Sequence, residues 1–363
     1  MHRIWMVALA LMTFAGCKGD PPAAPEKSTV PVRGAAGDAD LRVMIAELAS
    51  SKACGLIRGG FQGLRAPEGT DVVTGVLWIR ECEITNVGAQ VTFHVKGNGW
   101  LWADQTKKKG GGTFVVRQYF RFGIDATMRG ALDIAYDRHA HVVSLWFTPD
   151  RTPEVEFTII GDVDVDPHGI WSSIVGAIGT GVGTSPVGLA ESQAKAQGTK
   201  AFKAQLALGL AVTVDLCTGL SRVQIGRTAK GEMGPAGVGE TRRVPVEIHP
   251  GGLMIVGPQL AGSGMTIQAD AVKGAVRIKL MCAEHAETVA AAFIAGGTPA
   301  TVPVLGSVDV FTKARLRIKP AKCPVVVVVT PLGNAPARFD WQRPASEIAR
   351  STGGPLINCR PKP

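Results

Sequence analysis

The 363-residue chain holds none of the short signatures of common catalysis. A serine hydrolase places Gly-x-Ser-x-Gly at a strand-to-helix turn, and the nearest stretch, AGSGM from Ala261 to Met265, lacks that spacing. No Gly-Lys-Ser/Thr closes a phosphate-binding loop. Neither His-Glu-x-x-His nor Gly-x-Gly-x-x-Gly occurs. These absences exclude the main nucleotide, dinucleotide and zinc-protease classes, so the expectation is a non-enzymatic protein with no cofactor. Charge is scarce too: 19% of residues are charged, against roughly a quarter in soluble domains. The balance tips to +9, but the basic residues are scattered, without zinc-finger, basic-zipper or ribonucleoprotein patterning. Nucleic acid is excluded as a partner on that ground, and anionic surfaces such as phospholipid headgroups or acidic glycans remain. No Cys-x-x-Cys pair is present, so the seven cysteines do not read as a zinc site.

Long apolar runs are few. Residues 167–190 lack Asp, Glu, Lys and Arg, a length that could cross a bilayer. Yet only ten of the 22 residues from Gly169 to Ala190 are apolar, and Pro186 lies near the end. A span is therefore excluded. A buried helix is expected over about 169–208, capped by Asp166 with Pro167 at its first position and broken near 183–188.

The N-terminus is more specific. In MHRIWMVALALMTFAGC, His2 and Arg3 precede an apolar stretch, Ile4 to Phe14, which is followed by Ala15, Gly16 and Cys17. Charge, apolar length and small residues fit a cleaved secretory signal. The stretch Phe14-Ala15-Gly16-Cys17 resembles the lipobox of bacterial lipoprotein precursors, with Phe14 in place of the usual Leu. The resemblance implies a signal peptide at 1–16, cleavage before Cys17, lipid on Cys17, and a cell-envelope location on the periplasmic side or in the outer membrane. Lipid on Cys17 leaves six cysteines, Cys54, Cys82, Cys217, Cys282, Cys323 and Cys359. An even set in an oxidising compartment reads as disulfides. Loop closure favours near neighbours, hence Cys54–Cys82, Cys217–Cys282 and Cys323–Cys359.

Residues 17–40 are rich in Pro, Ala, Gly and charge and read as a lipidated, flexible tether. Leu41, Met44, Ile45 and Leu48 stand at helical spacing behind Asp40. Alternating, β-branched and aromatic stretches follow at 72–84, 89–97, 113–124, 128–137, 139–149 and 154–165, with turn chemistry at Gly97-Asn98-Gly99 between the second and third. A domain over 41–229 and a second β-rich domain or continuation over 230–363 are expected. In the second part, 283–297 reads as a helix with a glycine stop, 307–320 as one alternating strand, and 323–331 as a buried strand. The tail from Leu332 reads as irregular. The fold class is α+β: an antiparallel, strongly curved sheet packed on a long broken helix, with a second β-rich part.

Three clusters stand out. Asp137, His139 and His141 would share a strand face and offer a metal two imidazoles and a carboxylate. Their place at a hairpin turn equally fits plain solvation. Trp100 and Trp102, followed by Lys107, Lys108 and Lys109 at a hairpin tip, suit either a membrane interface or a core-facing pair under a solvated turn. The order of meander, broken helix and further strands over about 70–225 resembles tubular lipid-binding domains. That resemblance implies an apolar groove lined by Trp146, Trp171, Ile174, Ile178 and Phe202. Ordinary core packing accounts for the same residues. The functional expectation is an envelope lipoprotein, held to the membrane by its lipid, that binds a lipid or other apolar ligand. The alternative is a structural or assembly lipoprotein that contacts other envelope proteins.

Overall fold

The computed structural model describes residues 54–351 apart from position 56 and the stretches 66–71, 88–89, 110–111, 138–140, 163–165, 170–185, 218–219, 226–243, 260–264, 298–299, 319–322 and 342–347. After the short β1 (Phe61–Arg65) come three long strands, β2 (Val73–Val87), β3 (Gln90–Lys109) and β4 (Gly112–Asp137). β3 lies along β4 from Gln90 opposite Ala131 to Lys109 opposite Gly112. The other edge of β4 is divided among three strands. β5 (Val142–Pro149) takes Gly130 to Asp137, β6 (Glu154–Ile160) takes Arg121 to Thr127, and β7 (Asp166–Gly169) takes Gly112 to Val115.

This part of the chain corrects three readings. Gly97-Asn98-Gly99 is no turn, because β3 runs straight through it. A Cβ on Gly99 would lie 2.5 Å from the Phe122 ring, and one on Gly97 would lie 2.7 Å from the Trp78 carbonyl oxygen. The glycines make room for a neighbouring ring and backbone in mid-sheet. Likewise 113–124 and 128–137 form one strand. Asp166 and Pro167 belong to β7, opposite Val115 and Phe114, and do not cap a helix.

The helix α1 spans Pro186–Ala207. Proline holds its first position, where no backbone donor is needed. Ala194, Gly198, Phe202 and Leu206 recur at four-residue spacing; the last two are buried and α1 packs on β6. The apolar face beneath is built by period two: Val91, Phe93 and Val95 of β3 beside Phe122, Ile124, Ala126 and Met128 of β4. β8 (Leu210–Asp215) pairs with β5, and β9 (Leu220–Ile225) pairs with β8.

The second part is a sandwich. Its strands are β10 (Val244–Ile248), β11 (Met254–Gln259), β12 (Met265–Lys273), β13 (Val276–Cys282), β14 (Gly306–Val310), β15 (Lys313–Ile318), β16 (Val325–Pro331) and β17 (Ala337–Trp341). One sheet runs β10-β17-β12-β15 and the other β11-β16-β13-β14. This is the strand order of an eight-stranded jelly roll. The helix α2 (Ala283–Ile294) lies on the outside of the second sheet, against β11, β13 and β16. β16 is therefore covered on both faces, and Val325 to Val329 are all buried. Each buried valine contributes roughly 1.5–3 kcal/mol. The expected single strand at 307–320 is a hairpin instead, turning at Phe311 and Thr312. The tail forms β17 and β18 (Ile348–Ser351), and β18 crosses back to pair with β9.

The two parts share one core. β1 pairs with β11 at Phe61 and Gly257, and β2 meets β10 in parallel at Val73 and Val246. Phe61, Val76, Trp78 and Trp100 pack with the jelly-roll residues. The expected α+β arrangement of a curved sheet wrapped on a long broken helix is thus overturned. The fold is dominated by antiparallel sheet, and most buried apolar surface lies between sheets or under α2. Among its described residues, α1 supplies Phe202 and Leu206 to the buried clusters. The remainder of the expected helix, from 170 through 185, lies outside the described residues.

Candidate functional site

The residues that carry most chemistry converge where the long strands meet the jelly roll. Alternate residues of β3 place Trp100 and Trp102 on the face turned away from α1. Register sets Arg121 and Tyr119 of β4 beside them. β10 and the turn that follows it bring Glu247, His249 and Leu253 to the same place, and α2 brings Phe293.

The contacts are close and specific. The Trp100 indole Nε1 donates to the Leu253 carbonyl oxygen at 2.6 Å. The His249 ring stacks on Trp102, with centroids 3.8 Å apart and planes 8° apart. The backbone N–H of His249 donates to the Tyr119 hydroxyl at 2.9 Å, and the His249 Nε2 lies 2.9 Å from Glu247 Oε1. Phe293 stands edge-on to Trp100 at 5.0 Å and lies 5.4 Å beneath the Arg121 guanidinium. Burial pushes the Tyr119 phenol well above its ordinary value, so it stays protonated. Burial also lowers His249, although Glu247 and Asp104 pull it upward. A neutral imidazole stacked flat on an indole and a protonated phenol used as an acceptor are groups spent on one another. The arrangement clamps two sheets and leaves its acid–base groups turned inward.

Farther along the same face, the His94 Nε2 lies 2.6 Å from Asp125 Oδ1, and Lys96 Nζ lies 3.2 Å from Asp125 Oδ2. Burial raises the Asp125 carboxyl, but the hydrogen bonds and charges of His94 and Lys96 outweigh it and hold it below the ordinary value.

The residues expected from sequence fare unevenly. Trp100 and Trp102 do share a face, but Trp100 is fully buried and Trp102 is stacked on His249, so they belong to the clamp and not to a membrane interface. Lys107 to Lys109 end β3; their side chains lie outside the described residues. Phe202 is buried against Phe122 and Phe157, with ring centroids 5.4 and 5.8 Å apart. Trp146 precedes Phe147, which belongs to the same cluster as Phe202. Neighbours on a strand point to opposite faces, so Trp146 and Phe202 do not line one groove. Trp171, Ile174 and Ile178 lie outside the described residues, as does Cys17. His139 does too, and His141 sits with a φ of 54° in the turn before β5, where strand alternation no longer applies. Cys282, Glu284 and His285 come together within 4.8 Å, but the Cys282 sulfur is bonded to Cys323 and is no thiolate.

Two disulfides are placed. Cys54–Cys82 matches the expected pair. Cys282–Cys323 replaces the expected Cys217–Cys282 and Cys323–Cys359, because β13 and β16 are adjacent and Cys282 lies opposite Val325. Cys217 is also disulfide-bonded. Among the described residues, no helix is long and apolar enough to cross a membrane.

Sequence reasoning missed Tyr119, Arg121, Glu247, His249 and Phe293. The Tyr119–His249 contact spans 130 residues, and only the strand register brings its partners together. The one local signal is the turn chemistry of His249-Pro250-Gly251-Gly252.

No family model matches the chain, and no curated protein matches it. Among solved structures it is similar to an oxalate decarboxylase–formate complex from Lactobacillus farciminis, with 11% identity over 75% of this chain and 86% of that one, at a TM-score of 0.16. It is similar also to a structure of extended-synaptotagmin 2 that holds its SMP domain and both C2 domains, with 9% identity over 84% and 65% and a TM-score of 0.14. Vicilin of the hazelnut Corylus avellana shows 10% identity over 71% and 88%, at 0.12. Scores this low carry no argument about fold or activity.

Proposed function

We propose that this chain is a non-enzymatic, lipid-anchored protein of the bacterial cell envelope that acts as a rigid β-scaffold and works through contacts on its surface. One observation carries the choice of a scaffold over a container for an apolar ligand. The space between α1 and the sheet is occupied by Phe122, Phe157 and Phe202, stacked or tilted with centroids 4.9 to 5.8 Å apart. A Cβ on Gly198 would lie 2.7 Å from the Phe157 ring, so the helix already rests on the sheet. The disulfides and the shared core support rigidity. The lipobox at Phe14 to Cys17 supports the anchor and the location.

Three measurements test the reading. Mass spectrometry of the protein from its native envelope should find Cys17 as the N-terminal residue, carrying a diacylglyceryl group; an unmodified Cys17 removes the anchor. Delipidated protein incubated with envelope lipid extract should return without stoichiometric lipid, while crosslinking in cells should return another envelope protein. Stoichiometric lipid captured from the extract, with self-contacts alone on crosslinking, would restore the ligand-binding reading.

A further inference from the structure

The turns β10–β11, β12–β13, β14–β15 and β16–β17 all lie at one end of the jelly roll, as the registers Ile248 to Ala337, Met254 to Val329, Val276 to Val310 and Asp270 to Lys313 require. The first of these turns gives His249, Gly252 and Leu253 to the clamp and leaves Pro250 and Gly251 exposed. At the opposite edge the end is bare. Phe311, in the β14–β15 turn, is 68% exposed. Lys313, which follows at the head of β15, has a side chain 62% exposed. At the end of the adjacent β12 stands Lys273, exposed, and its register partner across the strands is Arg338, also exposed. Like charges set opposite one another in a sheet repel, although on its other side Arg338 has Glu247 as its register partner. Neither Lys273 nor Arg338 has an ion pair among the described residues. Lys313, 3.5 Å from Asp270, is only partly compensated. Arg315 and Arg317 continue the alternate positions of Lys313 along β15, an edge strand among the described residues.

An exposed aromatic ring beside a row of cations that is only partly compensated complements one kind of surface: an apolar layer beneath a sheet of anions. We propose that this end of the jelly roll docks on an anionic phospholipid bilayer. Phe311 enters the boundary between headgroups and acyl chains, and Lys273, Arg338 and Lys313 meet the lipid phosphates. The docking rests on the scaffold reading only for its setting. An anchor at Cys17 would keep the body beside the membrane. A contact too weak to recruit a free protein is then realised, because the surface is always near. Docking would fix which face of the long strands is turned away from the bilayer, toward other envelope proteins.

The test uses the chain from residue 17 onward with Cys17→Ser, which keeps every described residue and carries no lipid. Co-sedimentation is measured with vesicles of phosphatidylglycerol and phosphatidylethanolamine, and with vesicles of phosphatidylcholine alone. The protein should bind the first, bind the second far less, and be released by salt. The double variant K273Q/R338Q should lose roughly twenty-five-fold in partition, about fivefold for each cation removed. F311S should weaken binding to both vesicle types. Because salt release is read on the unsubstituted chain, the outcome does not depend on how the variants fold. No binding to anionic vesicles, equal binding to phosphatidylcholine, or a double variant within twofold of the parent overturns the proposal. Binding of an acidic protein at this end in place of vesicles would overturn it too. None of these results bears on lipid attachment at Cys17, so the two ideas fail separately.

Discussion

Removing the Tyr119 hydroxyl leaves the backbone N–H of His249 without its acceptor in a largely buried place. Tyr119→Phe keeps the ring against Trp102 and Phe293 and is expected to lower stability by about 1–3 kcal/mol, read as a lower urea midpoint. His249 makes the same junction sensitive to acid. Its folded pKa lies below the ordinary 6.5, so between those values the unfolded chain binds the extra proton. Stability from this group is complete above about pH 6.5 and is lost as pH falls toward the folded value. Asp125 acts lower: its carboxyl is held below the ordinary 3.8, so its contribution is complete above that value and is lost as pH falls through the folded one. Urea midpoints across pH should therefore decline first below about pH 6.5 and again in strong acid, and His249→Gln should erase only the first decline. A single inflection unchanged in that variant would contradict the assignment. Trp100 and Trp102 were legible as a same-face pair from spacing alone. Their cover was not, since Leu253 lies 153 residues beyond Trp100.

For the element α1, the decisive place is its contact with β6. Phe202→Ala removes a ring buried against Phe122 and Phe157 and is expected to cost about 3–5 kcal/mol, measured by thermal or urea unfolding. Gly198→Ala sets two effects against each other. Helix propensity favours alanine by about 1 kcal/mol, but the new methyl collides with the Phe157 ring. The collision is expected to win, with a lower melting temperature. A rise would show that α1 can lift from the sheet. Helical spacing made the second half of α1 and all of α2 legible, and alternation made most strands legible. Glycines misled, because Gly97 and Gly99 carry the same letters in a turn as in a crowded sheet. Phe311-Thr312 misled in the other direction: it turns without glycine or proline, so 307–320 looked like one strand.

For the whole molecule, the core that runs from Phe61 and Trp100 into the jelly roll predicts unfolding in one transition. Separate transitions for the two parts would show that the clamp is weak. Replacing Cys282 and Cys323 by serine opens a 41-residue loop and should cost about 2–4 kcal/mol. Peptide mapping without reduction should recover Cys54–Cys82 and Cys282–Cys323 and find Cys217 bridged, not free. A disulfide-rich, β-rich chain was legible from composition and cysteine count. The jelly-roll order was not, because consecutive strands cross between sheets, and no local pattern records which sheet a strand joins. The same crossing defeated the nearest-neighbour disulfide guess.

The strand pairings also set a timetable. A ribosome releases this chain from its N-terminus, yet β1 and β2 find part of their pairing only in β11 and β10. The face that carries Val76, Trp78 and Trp100 stays bare until residues beyond 250 have been made. β9 receives β18 almost at the end of synthesis. Early emergence without early completion keeps the chain extended and its aromatic face open to other binders for most of its production. The export that the proposed function requires would have to take place within that interval, before the sheets close.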